Sequence, residues 1–125
     1  MIYFDNSATS FPKPRCVMRA ASKYATHYGG NAGRSGHKLS LKSAELLYSA
    51  RETVARHIGF DRPERVVFTQ NATYALNLAI KGLITEPCHI ITSNMEHNSV
   101  LRPLNSLKKI GVSYSTFDAT LSPDI

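Results

Sequence analysis

The chain has 125 residues, 42% of them hydrophobic, and a formal net charge of +6 from 15 Lys and Arg against nine Asp and Glu. That length suits one domain of ordinary size, and no apolar run reaches the roughly 18 residues of a membrane-spanning helix. The basic residues are scattered, with Lys108-Lys109 the one dense doublet. This pattern argues for a solvated surface, one side of a complex or a small phosphorylated ligand, and against a nucleic-acid footprint.

The opening stretch "MIYFDNSATSFPKP" has no basic segment followed by an apolar one, so no signal peptide is read and the expected compartment is the cytoplasm. Ser10 is expected to cap a first helix, with Pro12 or Pro14 in its first turn. Val17, Ala20, Ala21, Tyr24 and Tyr28 then recur at helical spacing. "GGNAGRSG", Gly29 to Gly36, ends that helix as a flexible loop. Ser40 is expected to cap a second helix with the apolar line Leu41, Ala44, Leu47, Tyr48, Val54 and Ile58, stopped by Gly59. Cys16 and Cys88 form no C-x-x-C pair, which excludes zinc-ribbon and thioredoxin-like sites; both are expected to be reduced, buried thiols.

After residue 60 the pattern changes. Val66 to Thr69 reads as a strand, Ala72 to Leu83 as a helix with Ala75, Leu76, Ala79 and Ile80 inward, and His89 to Thr92 as a second strand. Ser99 to Lys109 reads as a helix stopped by Gly111, and Val112 to Phe117 as a third strand. The order β-α-β-α-β with short links predicts a parallel α/β sheet. Ser122-Pro123-Asp124 has the signature of a further helix start, so the chain reads as the front portion of a larger fold.

Three stretches carry chemistry. "FTQNATYALNLAIKG", Phe68 to Gly82, places Asn71, Ala72 and Thr73 at a helix N-terminus. Free N–H groups and the macrodipole there attract an anion, with the Thr73 hydroxyl as an extra donor. Asn71 acting as a simple helix cap is the competing reading. The P-loop lysine is absent, and Lys81 lies over two turns into the helix. "TSNMEHNSV" places Glu96 and His97 after the second strand, on the carboxyl rim where ligands of open parallel sheets bind. A histidine there stacks on a flat ring, shuttles protons, or is an ordinary surface residue. The glycines at 30, 33 and 36 do not have dinucleotide-site spacing and join two helices, so Asn31, Arg34 and His37 read instead as reaching a ligand or partner subunit. His89 and His97 lie at opposite ends of a strand and its loop, and no metal site is expected.

Together these segments resemble the cysteine desulfurase branch of the class V aminotransferases, enzymes of fold type I that use pyridoxal 5′-phosphate (PLP). "IYFDNSAT", "GGNAGRSGHKLS", "FTQNATYALNLAIKG" and "SNMEHNSVL" follow the family's order and spacing along essentially the whole chain. The resemblance implies that Ala72 and Thr73 hold the PLP phosphate and that His97 is the catalytic residue stacking on the pyridine ring. It implies that Asp5 to Thr9, with Ala8 and Thr9 foremost, line the substrate side. Asn31 and His37 would approach the site near a homodimer interface. Tyr74 stands where many members have Glu, which leaves the subgroup open.

The resemblance also implies that the Schiff-base lysine, the acid on the pyridine nitrogen, the arginine for the substrate carboxylate and the nucleophilic cysteine lie beyond this length. The chain alone would then be inactive, with marginal stability and exposed sheet edges. Its implied domain organisation is an N-terminal arm with helices over 1–60 and the first part of a truncated PLP-binding large domain over 61–125. The implied reaction is L-cysteine to L-alanine with sulfur passing to an enzyme cysteine. Implied partners are an amino-acid substrate, a second copy of the chain and a sulfur-acceptor protein, with neither nucleic acid nor membrane. The alternatives are a selenocysteine lyase or aminotransferase of the same class, or a non-catalytic phosphate-binding or interaction module.

Overall fold

The computed structural model describes residues 2–34 and 36–120, so the Ser122-Pro123-Asp124 helix start lies outside the described residues. Two units divide after Val67.

In the first unit, α1 spans Arg15–His27 and α2 spans Lys38–His57. Ser10 does not cap α1: Pro14 occupies the N-cap position, and no side chain accepts a bond from the first turn. Proline suits the edge of a helix because its missing N–H would go unused there. Ser40 does not cap α2 either. His37 is the N-cap, its ring accepting the Ser40 N–H, and Ser40 lies inside the helix.

The buried positions of α2 are Ser40, Ser43 and Ala55, not the expected apolar line, whose Leu41 is 53% and Ile58 66% exposed. The serines are buried because they hold the glycine loop and the end of α1 that leads into it. Ser40 Oγ donates to the Asn31 carbonyl at 2.5 Å, and Ser43 Oγ to the Tyr28 carbonyl at 3.2 Å. Gly30 lies so close to α2 that an added Cβ would stand 2.7 Å from the Leu39 carbonyl carbon. The first half of this loop is therefore tied to α2 rather than free. A short 3-10 turn over Pro63–Arg65 packs on α2. Val66 to Thr69 forms no strand. A strand needs a neighbour for its N–H and C=O groups, and none of the described residues pairs with this segment.

The second unit is a β-α-β unit preceded by a helix. α3 spans Ala72–Leu83, β1 His89–Ser93, α4 Asn98–Leu107 and β2 Ser113–Phe117. β1 and β2 pair in parallel, His89 opposite Ser113 through Ser93 opposite Phe117. The parallel arrangement agrees with the sequence reading, with two strands among the described residues in place of three.

The apolar core here is Leu104, Leu107 and Val112, all under 10% exposed. Each buried side chain of this kind stabilises by about 1.5–3 kcal/mol. Pro103 sits inside α4, where it removes one backbone hydrogen bond, but its ring is fully buried and the packing offsets part of that loss. Gly111 ends the short 3-10 extension of α4 at φ 85°, a conformation that a side chain would strain. None of the four α3 positions expected inward is buried, and Leu76 is 36% exposed. Cys16 and Cys88 are both exposed, against the expectation of buried thiols. No described helix is long and apolar enough to cross a membrane.

Candidate functional site

α3 begins at Ala72 because Asn71 holds an extended backbone and turns its side chain onto the first turn. Asn71 Oδ1 accepts the Tyr74 N–H at 2.8 Å, and its carbonyl accepts the Ala75 N–H at 3.1 Å. Among the described residues, the N–H groups of Ala72 and Thr73 and the Thr73 hydroxyl donate to no partner. The cap reading and the anion reading of this turn are therefore compatible. Asn71 satisfies the third N–H of the helix and leaves the first two, where an anion is most favoured. Asn77, one turn on, donates to the Thr73 carbonyl at 3.0 Å.

α4 starts in the same way from a different residue. His97 is its N-cap, with Nδ1 accepting the Ser99 N–H at 3.1 Å. Just before it, Ser93 Oγ donates to Glu96 Oε1 at 2.8 Å, which fixes the half-buried glutamate at the end of β1. α3 and α4 pack together, and a cavity of about 410 Å³ lies where their starts meet, lined by Thr73, Asn77, His97, Asn98, Ser99 and Arg102. Its size falls within the roughly 300–1,000 Å³ of small-molecule sites. A larger hollow of about 750 Å³ runs along α3 past Lys81, but it lacks His97 and the start of α4.

Of the expected residues, the cavity brings Thr73 and His97 together; Ala72 adjoins Thr73 in the first turn of α3. The other expected residues belong to the first unit. Ala8 and Thr9 close a turn onto the Asp5 carbonyl at 3.1 and 3.2 Å, and Thr9 Oγ1 accepts from Lys13 Nζ at 3.3 Å. Asn31 Oδ1 accepts the Gly33 N–H at 2.9 Å, and His37 is engaged as the cap of α2.

Asn77, Ser99 and Arg102 did not emerge from the motifs. Their signal was helical spacing: Asn77 lies four residues after Thr73, and Arg102 four after Asn98, which puts each pair on one helix face. Arg102 adds a full positive charge to a place already favouring anions.

Fold and site thus define an α/β unit with two helix starts, free N–H donors and a guanidinium at one cavity. A family model for aminotransferase class-V matches residues 2–122. The chain is 38% identical over 124 residues to the cysteine desulfurase IscS of Colwellia psychrerythraea, covering 94% of this chain and 30% of that protein. It is 33% identical over 129 residues to a probable cysteine desulfurase of Streptomyces coelicolor, covering 96% and 31%. Among solved structures, the apo cysteine desulfurase of Thermococcus onnurineus matches with a TM-score of 0.82 at 33% identity, over 94% of this chain and 30% of that one. SspA in complex with cysteine matches with a TM-score of 0.82 at 31% identity, over 94% and 34%.

The chain belongs to the aminotransferase class-V family, with cysteine desulfurases of fold type I as structural neighbours. It spans about a third of the length of the relatives it matches. The family is generally PLP-dependent, and the first turn of α3 fits a phosphate group: two unpaired N–H groups and one hydroxyl stand at the positive end of a 12-residue helix.

Proposed function

We propose that this chain is the N-terminal part of a PLP-dependent, cysteine desulfurase-like enzyme that converts L-cysteine to L-alanine and passes the sulfur to an enzyme cysteine. The observation that carries the reading is the meeting of Thr73 and His97 at one cavity between the starts of α3 and α4. Cysteine desulfurases among the relatives, and a neighbouring structure described as a complex with cysteine, support the choice of substrate.

In this reading Ala72 and Thr73 bind the phosphate through the two free N–H groups and the hydroxyl, and His97 lies against the pyridine ring. When bound, PLP supplies the electron sink that the carbon chemistry needs. Asn71 keeps the first turn of α3 in shape, so its donors are arranged before the ligand arrives. Ala8, Thr9, Asn31 and His37 take the substrate or dimer side, in a cytoplasmic homodimer that hands sulfur to an acceptor protein.

The test is Thr73→Ala in the protein at the length of its relatives. Losing one charge-assisted hydrogen bond weakens PLP binding by about 1–3 kcal/mol, read by titrating cofactor absorbance. Unchanged PLP affinity removes Thr73 from the phosphate site.

A further inference from the structure

Four of the five histidines make ring hydrogen bonds to hydroxyl or backbone groups, and they differ in one decisive respect. His89 lies between two hydroxyls, Ser113 Oγ 2.8 Å from Nδ1 and Ser115 Oγ 2.9 Å from Nε2. A hydroxyl donates or accepts by rotating, so His89 is served in either tautomer. At His97 the partner of Nδ1 is the backbone N–H of Ser99, 3.1 Å away, with Ser99 Oγ 2.9 Å from the same nitrogen. A backbone N–H only donates. Ser99 is 6% exposed, so water is poorly placed to replace the ring.

We propose that Ser99 holds neutral His97 as the tautomer with hydrogen on Nε2, so that the histidine serves the cavity as a hydrogen-bond donor and not as a proton acceptor. A neutral imidazole carries one N–H and one bare nitrogen, and the partner of one nitrogen decides the state of the other. With Nδ1 bare to receive the Ser99 N–H, the hydrogen must be on Nε2. The opposite tautomer would set two hydrogens against each other and leave a backbone donor of a buried residue unpaired. The free polar group of the ring is then Nε2–H.

His97 lines the same cavity as Thr73 and Arg102, and Ala72 adjoins Thr73 in the first turn of α3. All of these can donate, so the ligand the site suits is anionic and rich in acceptors. This last step rests on the proposed function; the tautomer stands on the ring geometry alone.

The experiment is a two-bond proton–nitrogen correlation spectrum of the protein at the length of its relatives, labelled at histidine ring nitrogens. It is recorded at alkaline pH, where imidazoles are neutral, with His97→Gln assigning the signal. His97 is expected in the Nε2–H pattern, in about tenfold or greater excess over the other form. A Nδ1–H pattern, or averaging of the two nitrogens, overturns the proposal. Ser99→Ala removes the hydroxyl and keeps the backbone N–H, so the pattern persists; its loss there overturns the assignment to the backbone donor. Adding PLP to the same sample separates the two readings. An intact tautomer with no response to PLP at His97 counts against the proposed function alone.

Discussion

Among the described residues both units bury polar side chains, Ser40 and Ser43 in the first and Thr92 and Ser99 in the second, but only the second gathers large apolar ones. In the first, the side chains of α2 that are buried are two serines and an alanine, and none of α1 is buried. The buried serines hydrogen-bond backbone carbonyls, Ser40 that of Asn31 in the glycine-rich loop and Ser43 that of Tyr28 at the end of α1. In the second, Leu104, Leu107 and Val112 form a small apolar core, with the Pro103 ring buried on the same helix. The difference teaches where an amphipathic pattern is satisfied. The apolar stripe of α4 finds β2 only a few residues further on, so its burial is local. The apolar line of α2 has no such neighbour in sequence, and its leucines stay exposed.

The sharpest way to break this contrast is to truncate one leucine from each unit. Leu104 is 2% exposed, and Leu104→Ala should destabilise the second unit by about 2–5 kcal/mol, the range for buried leucines. Leu41→Ala, at a half-exposed site, should change stability by no more than about 0.5 kcal/mol. Urea unfolding followed by tyrosine fluorescence measures both. Equal losses would mean that the stripe of α2 is buried after all.

Gly30→Ala comes next. The new methyl group would meet the carbonyl carbon and oxygen of Leu39 and the amide nitrogen of Ser40 at 2.7–2.8 Å, all backbone atoms that cannot swing aside. The loop must lift from α2, at a cost of about 1–3 kcal/mol. Amide exchange should speed up near Tyr28 and Asn31, whose carbonyls accept the two serine hydroxyls. Unchanged exchange near Tyr28 and Asn31 would show that the loop does not depend on this close approach.

How far these features were legible in the sequence follows the same division. α3 could be read almost to the residue, because Asn71 is a strong cap and small residues follow it. Thr73 and His97 were expected on one sheet rim; they line one cavity instead through the packing of α3 on α4, since no strand among the described residues precedes Thr73. The parallel pairing of β1 and β2 followed from the alternation of elements.

Val66 to Thr69 misled, since an apolar β-branched run reports a preference for a sheet and not the presence of a neighbour to pair with. Ser40 misled for a different reason. Serine before an apolar run is the usual cap signal, but His37 can cap with Nδ1, and histidine is rarely weighed for that task. The same blind spot hid the cap made by His97. Arg102 was hidden because motif reading stops at the loop, whereas the cavity continues one turn up the helix.

The smallest expected effect lies at the carboxyl ends of the strands in the second unit. Asp118 Oδ1 accepts the Thr120 hydroxyl at 2.6 Å, the Thr120 N–H at 2.9 Å and Asn94 Nδ2 at 2.9 Å. Asn94 Oδ1 in turn accepts the Ala119 N–H at 3.1 Å, so one carboxylate joins the loop after β1 to the loop after β2. Hydrogen bonds from the Thr120 hydroxyl first, then the Thr120 N–H and Asn94, hold this carboxyl below its ordinary pKa. Because the folded value lies below the unfolded one, the contribution to stability is fully present above the unfolded value of about 3.9. It is lost as pH falls through the folded value. The group is fully exposed, so solvent screens the effect. An acid titration followed at the Thr120 amide should move only below about pH 4, and Asp118→Asn should abolish the step. A midpoint at or above the ordinary carboxylate value would show that the loops are held together without Asp118, by the Asn94 N–H on the Phe117 carbonyl and the Ala119 N–H on Asn94 Oδ1.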